Sequence, residues 1–188
     1  VGMLSAIFGN CLGHPDRDVQ QTAVYGIGVA AASGVAAYHG PVGQMMPRIA
    51  AILTAPNARS HSQGALTDNA VSTVVKAARH LGLSESQVAS DLLPLILRGL
   101  PVRTDESEFE GVYGFVAEAL ARRPALRDVM LSPEHVAVVL ETLLEATKNP
   151  IVSKRLNAEL VRELSGLVEP VKATMDPSMV AYISSKYE

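Results

Sequence analysis

The chain has 188 residues, with 16 Lys and Arg against 19 Asp and Glu, and a formal net charge of −3. This balance leaves no basic surplus that could neutralise a phosphate backbone, so we expect no direct nucleic-acid binding. Hydrophobic residues make up 48% of the chain, which excludes intrinsic disorder. No apolar run is long enough to cross a membrane, so we expect no membrane partner.

The cysteine count and the first residue add two expectations. Cys11 is the single cysteine, so an internal disulfide is excluded and a reducing compartment is favoured. No signal peptide pattern is visible at the start. Because the sequence opens with Val1 rather than Met, we expect it to be a piece of a longer protein.

Short aliphatic residues dominate the composition and recur with a helical period. Ala, Val and Leu number 25, 22 and 21. Apolar residues fall three and four positions apart, for example at Val71, Val74, Val75 and Ala78, which is the spacing of one helix face. No stretch alternates strictly, so we predict an all-α protein without strands. The predicted helices span about 2–12, 16–33, 41–55, 64–81, 85–99, 105–122, 133–148, 151–168 and 177–186.

Local signals support several of these helix ends. Ser84 and Gln87 have the spacing of a capping box, and Ser132-Pro133 and Asp176-Pro177 have a capping residue before a proline. Gly34 and Gly82 follow helical runs, where a left-handed residue often ends a helix. The signals therefore predict helix starts and stops as well as the helices themselves.

The predicted helices come in pairs that repeat along the chain. The second helices of successive pairs begin near Asp16, Gly64, Asp105 and Ile151, at intervals typical of HEAT or armadillo repeats. One pair cannot bury its own apolar face, so neighbouring pairs must stack. We predict a single α-solenoid, a superhelix of antiparallel helix pairs, with four pairs at 1–34, 41–82, 84–122 and 132–168 and a terminal helix at 176–187.

Four motifs carry a resemblance to a known family. They are the helix V-Q-Q-T-A-V-Y-G-I-G-V at 19–29, the run Asp68-Asn69-Ala70-Val71-Ser72 through Lys76, the two Leu-Pro turns at 93–94 and 100–101 followed by acidic residues, and Lys154-Arg155-Leu156-Asn157. In this order they resemble the HEAT repeats of the importin-beta (karyopherin-beta) nuclear transport receptors, most closely the importin beta-3 subfamily. The resemblance covers nearly the whole chain.

This resemblance implies a function and its partners. The chain would be the C-terminal part of a nuclear import receptor that moves between cytoplasm and nucleus and binds cargo proteins through their basic targeting segments. Release of cargo would be controlled by the GTP-bound Ran GTPase, which binds mainly to repeats outside this chain. Phe-Gly repeats of nucleoporins would dock between first helices, here those that carry Met45-Met46, Leu92-Leu93 and Val138-Val139.

The candidate binding residues are acidic and amide side chains of second helices. Four carboxylates of one predicted helix start, Asp105, Glu106, Glu108 and Glu110, could attract a basic segment, although acidic residues in a first turn also stabilise the helix dipole without any partner. Asn69 and Asn157 recur at comparable places and could hold either a neighbouring helix or an extended peptide. Residues 101–188 also carry a formal charge of −4, against +1 for residues 1–100, which favours the second half as the surface that binds a basic partner.

Other classes of function find less support in the sequence. The five histidines are scattered and form no local metal-ligand set, so we expect no metal and no cofactor. Cys11 near His14 is interpreted as a structural thiol, and Gly26 and Gly28 as sites of close helix packing rather than a phosphate loop. We therefore predict no enzyme and no catalytic residue. The alternative function is a HEAT scaffold that assembles a complex such as a phosphatase.

Overall fold

The protein is described by a computed structural model of residues 2–172, which form helices joined by turns and short irregular segments and contain no strand over that range. The all-α prediction is therefore confirmed. Its helices are α1 (Gly2–Leu12), α2 (Arg17–Ala32), α3 (His39–Thr54), α4 (Gly64–His80), α5 (Glu85–Gln87), α6 (Leu93–Gly99), α7 (Phe109–Arg122), α8 (Pro124–Met130), α9 (Val136–Lys148) and α10 (Lys154–Lys172). The predicted terminal helix at 177–186 lies outside the described residues.

The chain divides into two compact units, Val1–Glu108 and Phe109–Glu188. In the first unit the first helix of each pair packs on the first helix of the next, and second helices pack on second helices. The first helices α1, α3 and α6 contact one another in chain order, and the second helices α2 and α4 form the most extensive contact. Within a pair, α1 packs on α2 and α3 packs on α4. These contacts place α4 between helices on several sides, and most of its side chains are buried.

The second unit is built around α7, which contacts α8, α9 and α10, while α9 and α10 pack on each other. Its core combines aliphatic side chains with Tyr113 and Phe115, both buried. Phe109 and Tyr113 stack in a tilted arrangement with ring centroids 5.6 Å apart. Two of the three phenylalanines of the chain, Phe109 and Phe115, thus lie in this helix.

Most of the predicted helix boundaries are present. Ser84 and Gln87 form the capping box, in which the Ser84 hydroxyl accepts from the Gln87 amide and the Gln87 side chain accepts from the Ser84 amide. The Asp16 carboxylate caps α2 by accepting from the Asp18 amide. Gly34 and Gly82 both have a φ of 70°, which confirms them as left-handed residues after a helix.

The predicted helix over 85–99 is continuous but changes its winding at Val88–Leu92, which is π-helical and joins α5 to α6. Pro94 lies in the first turn of α6. A proline has no amide hydrogen, and its ring collides with the carbonyl four residues earlier in a regular α-helix. The wider π turn just before it accommodates this proline, and the helix then continues to Gly99.

Two predictions around residues 123–135 were wrong. The sequence predicts no helix over 123–132, but α8 spans Pro124–Met130 with the proline in its first turn. The next helix is predicted to start at Pro133 with Ser132 as its cap, but it begins at Val136. The Ser132 hydroxyl lies 3.1 Å from the His135 ring instead of capping a helix amide, so residues 133–135 form a turn.

Close helix packing at Gly26 and Gly28 was predicted correctly. A Cβ atom on Gly28 of α2 would lie 2.7 Å from the Thr73 hydroxyl oxygen of α4, and one on Gly26 would lie 2.8 Å from the Phe8 ring of α1. Thr73 has little freedom to move aside because its hydroxyl donates to the Val24 carbonyl at 2.9 Å. The absence of a side chain at Gly28 therefore sets the distance between α2 and α4.

We expect Gly28→Ala to destabilise the protein by about 1–3 kcal/mol, since an added methyl group forces packed helices apart. Gly43→Ala is the matched control, because Gly43 lies inside α3 with no heavy atom near its missing Cβ. The control should gain about 0.5–1 kcal/mol from the higher helix propensity of alanine. Urea denaturation followed by helical circular dichroism measures both, and equal changes in the two variants would contradict the packing argument.

Candidate functional site

The candidate site centres on the buried polar residues of α4 and the segment 100–108 that packs against it. Five polar side chains of α4 are buried, namely Thr67, Asp68, Asn69, Ser72 and Thr73. A buried polar group destabilises a protein unless it is hydrogen bonded. Each of the five has a partner outside its own helix, so α4 is held to its neighbours by polar bonds as well as by apolar packing.

Asp68 holds the turn that leads towards the second unit. Its Oδ2 atom accepts from three consecutive backbone amides, those of Arg103 at 2.9 Å, Thr104 at 2.5 Å and Asp105 at 2.9 Å. The residue is only 3% exposed. Consecutive amides that converge on one carboxylate oxygen fix the backbone of this turn against α4.

The two aspartates of this network have opposite pKa shifts. Burial raises the pKa of Asp68 above its ordinary value, against the lowering effect of the three amides and of the Arg59 charge. Burial also acts to raise the pKa of Asp105, but hydrogen bonds from Ser107 and Asn69 outweigh it and hold that pKa below the ordinary value. The folded state therefore favours the neutral form of Asp68 and the ionised form of Asp105.

Asn69 lies next to Asp105 and is buried. Its side-chain amide donates to the Asp105 carboxylate at 2.7 Å and to the Ala65 carbonyl at 2.9 Å. The structure thus brings together two of the residues that the sequence singled out. The donors of this amide are both used inside the first unit.

We expect Asn69→Ala to raise the pKa of Asp105, because one of the hydrogen bonds that stabilises its charged form is lost. Asp105 with its lowered pKa contributes stability at pH values above its unfolded pKa, and this contribution is lost as pH falls through the folded pKa. In the variant this contribution should therefore be smaller, and its loss should be complete at a higher pH. Carboxyl ¹³C chemical shifts measure the titration, Asn57→Ala in an exposed loop is the control, and an unchanged Asp105 titration would refute the assignment.

Glu108 is also directed towards α4. Its Oε2 atom accepts a hydrogen bond from the Ser72 hydroxyl and lies 2.9 Å from the Lys76 ammonium. The Glu108 side chain is 7% exposed and that of Lys76 is 25% exposed. The Lys76 ammonium also lies 5.7 Å from the centroid of the Tyr25 ring, a ring on α2 that is half exposed. Glu108, Lys76 and Tyr25 therefore link the segment before α7 to α4 and α2.

The remaining candidate residues are dispersed. Glu106 is exposed. Glu110 belongs to the second unit, where its carboxylate accepts from the Ser153 amide at 3.1 Å and from the Ser153 hydroxyl at 2.6 Å, just before α10. The Asn157 amide donates to the Thr147 carbonyl at 2.8 Å and so joins α10 to α9. Three of the four carboxylates predicted as one binding surface thus have partners within their own units.

The expected nucleoporin contacts fall on residues of mixed exposure. Leu92, Leu93 and Val139 are buried in the core, while Met45 and Val138 are half-buried. Met45 lines an apolar cavity of about 20 Å³ between α1, α2 and α3. That volume suits a single water molecule and is too small for an aromatic ring.

Neither a metal-ligand cluster nor a membrane-spanning helix is present in the part of the chain that the structure describes. Within residues 2–167, whose side chains the structure describes apart from Leu4, no three His, Cys, Asp or Glu side chains are grouped so as to hold a metal ion. No helix in the described part of the chain is long and apolar enough to span a bilayer.

Sequence reasoning singled out most of the network but assigned its contacts differently. It named the run from Asp68 to Lys76 for its resemblance and Asp105 to Glu110 for their charge, yet it did not pair one with the other. The separation of about 36 residues between Asn69 and Asp105 is close to one repeat, which is the signal that could have suggested the pairing. No protein-family model, no curated protein and no solved structure matches the chain.

Proposed function

We propose that the chain is a HEAT-repeat array from the C-terminal part of an importin-beta-type nuclear import receptor. The observation that carries the proposal is a recurring tie between the start of one second helix and the turn before the next. The Arg17 guanidinium donates to the Ser62 carbonyl, the Asp68 carboxylate holds residues 103–105, and the Glu110 carboxylate holds Ser153. These ties span 35 to 45 residues, close to the period of about 40–47 residues that is typical of HEAT and armadillo repeats.

The packing within the first unit supports the same proposal. First helices contact first helices, and second helices contact second helices, as stacked pairs require. Three of the residues that carry the family resemblance bind the segment before α7: Asp68 makes one of the ties just described, and Asn69 and Ser72 bind Asp105 and Glu108. The resemblance therefore falls on residues that an array of stacked pairs needs.

The function that follows is carriage of cargo under the control of GTP-bound Ran. Stacked pairs flex by small rotations at each layer, and the sum of these rotations changes which surface contacts can form together. Among the acidic candidates, Glu106 is exposed and lies in the half of the chain with the formal charge of −4. A basic cargo segment would be attracted to this half, although each exposed ion pair contributes only about 0–1 kcal/mol.

The test is capture of a basic targeting peptide by the complete receptor that contains this chain. We expect capture without Ran and release when GTP-bound Ran is added, while GDP-bound Ran releases nothing. Glu106→Lys should weaken capture, and Asp91→Lys, a charge reversal at an exposed residue of the first half of the chain, should leave it unchanged. Stable binding of a partner that ignores GTP-bound Ran would favour a scaffold instead and would refute the transport proposal.

A further inference from the structure

A larger cavity of the first unit lies between the end of α1, one face of α3 and the loop before α4, and the proposed function does not use it. Its volume is about 530 Å³, within the range of about 300–1,000 Å³ that is usual for ligand pockets. Arg48, Ala51, Ile52 and Ala55 line it along α3 up to the C-cap residue, at the spacing of one helix face. Seven residues of helix rise about 10 Å, so the cavity has the length of about three residues of extended chain.

Hydrogen bonds to the backbone hold the walls of this cavity in place. The Arg48 guanidinium donates to the Gly9 carbonyl near the end of α1 and so joins α3 to α1. The Thr67 hydroxyl of α4 donates to the Ala58 carbonyl at 2.6 Å and so holds the loop between α3 and α4. A ligand therefore meets walls that are formed before it binds, which reduces the entropy lost on binding.

Arg48 supplies the positive charge of the cavity. None of the described residues that line it is an Asp or a Glu. An arginine has five N–H donors, and the hydrogen bond to the Gly9 carbonyl uses one of them. Within the described part of the chain this guanidinium has no further hydrogen bond and no ion pair, and the residue is exposed. Its remaining donors can therefore bind a carboxylate in the planar geometry with two hydrogen bonds that is typical of arginine.

Two carboxamide groups in the segment between α3 and α4 add polar groups to the same cavity. Asn57 and Gln63 both line it, and neither side chain makes a hydrogen bond within residues 2–167, apart from Leu4. A carboxamide both donates and accepts, so it can pair with the N–H and C=O groups of a peptide unit. Leu12 and Leu66 contribute apolar surface beside them. The cavity thus offers a cation, hydrogen-bonding groups suited to a peptide and an apolar surface.

We propose that this cavity binds the carboxyl-terminal end of a peptide whose last side chain is apolar. The terminal carboxylate would pair with Arg48, and the preceding peptide group would bond with Asn57 and Gln63. The last side chain would pack on Ala51 and Ile52. An internal peptide segment lacks the carboxylate and a simple apolar acid lacks the peptide group, so neither satisfies all three features. The proposal rests on this cavity alone and does not depend on nuclear transport.

Titration of the full chain with acetyl-Ala-Leu, which has a free carboxylate, tests the proposal by NMR. We expect saturable shifts of the side-chain amide signals of Asn57 and Gln63, with a dissociation constant of about 1 mM or below for a ligand of this size. The same dipeptide with an amidated end lacks the charge and should bind about tenfold more weakly. Isocaproate keeps the leucine side chain and the carboxylate but has no peptide group, and it should also bind more weakly. Binding of either compound as tightly as acetyl-Ala-Leu would overturn the proposal.

Two pairs of variants locate the binding. Arg48→Gln should weaken it about tenfold, while Arg98→Gln, at an exposed position of α6 outside the cavity, should bind normally. Ala51→Phe fills the cavity with Arg48 in place and should abolish binding, while Gln44→Phe, at an exposed position of α3 outside the cavity, should not. Circular dichroism checks that each variant is folded, and if Arg48→Gln does not fold, Ala51→Phe decides the question. Absence of saturable shifts in the natural chain, or a cavity variant that binds like its control, would refute the assignment.

Discussion

Replacing Asp68 with alanine should lower the free energy of unfolding by about 3 kcal/mol. The substitution removes the acceptor of three backbone amides at Arg103, Thr104 and Asp105. An unsatisfied buried donor destabilises a protein by about 1–3 kcal/mol. Because Arg103 and Thr104 are exposed, water can reach part of this turn, so we expect each of the three amides to contribute near the lower end of that range.

Two companion variants separate the hydrogen bonds from the charge. Asp68→Asn keeps an acceptor oxygen and removes the charge that burial disfavours, so we expect its stability to lie within about 1 kcal/mol of the natural protein. Asp91→Ala removes an exposed carboxylate and should change stability by less than about 0.5 kcal/mol. Chemical denaturation measures all three. A loss in Asp68→Ala no larger than that in Asp91→Ala would contradict the role assigned to Asp68.

Replacing Glu108 with alanine should have the second largest effect, a loss of about 2 kcal/mol. The substitution leaves the Lys76 ammonium and the buried Ser72 hydroxyl without the oxygen that binds both. Removing one partner of a fully buried ion pair destabilises a protein by about 3–5 kcal/mol. We expect a loss below this range because a quarter of the Lys76 side chain is exposed to solvent.

Glu106→Ala is the matched control for Glu108→Ala. The two glutamates are two residues apart in one 3₁₀ turn, but Glu106 is exposed and Glu108 is buried. We expect Glu106→Ala to change stability by less than about 0.5 kcal/mol, while peptide capture responds to Glu106. Equal effects of the two substitutions on thermal unfolding would show that the acidic run acts as one surface and not as two sets of residues.

Much of the fold was predictable because its signals are local. The capping box at Ser84 depends only on residues within one turn, and Gly34 ends a helix through its own backbone conformation. The helix at Pro124 was missed because seven residues are too short for a clear period, so the proline was the main signal. The predicted helix start at Ser132-Pro133 was wrong because the serine hydroxyl contacts the His135 ring instead of a helix amide. The Ser-Pro motif alone does not determine which of the two the hydroxyl contacts.

The candidate site was harder to predict because its contacts join distant parts of the chain. Asp105 and Glu106 are adjacent in sequence and equal in charge, yet one contacts Asn69 and the other faces solvent. The direction of each side chain depends on how the turn at 103–108 lies against α4, which Asp68 determines from 35 residues away. Charge patterns can therefore identify such residues, but only packing assigns their roles.

Amide hydrogen exchange at Arg103, Thr104 and Asp105 tests most directly whether the buried carboxylate of α4 holds the next turn of the chain. These amides belong to a turn with little regular structure, so they should exchange rapidly unless Asp68 binds them. We predict exchange about 100-fold slower than in an unstructured peptide, the equivalent of about 3 kcal/mol, and loss of this protection in Asp68→Ala. Rapid exchange of these three amides in the natural protein would contradict the tie between Asp68 and the turn.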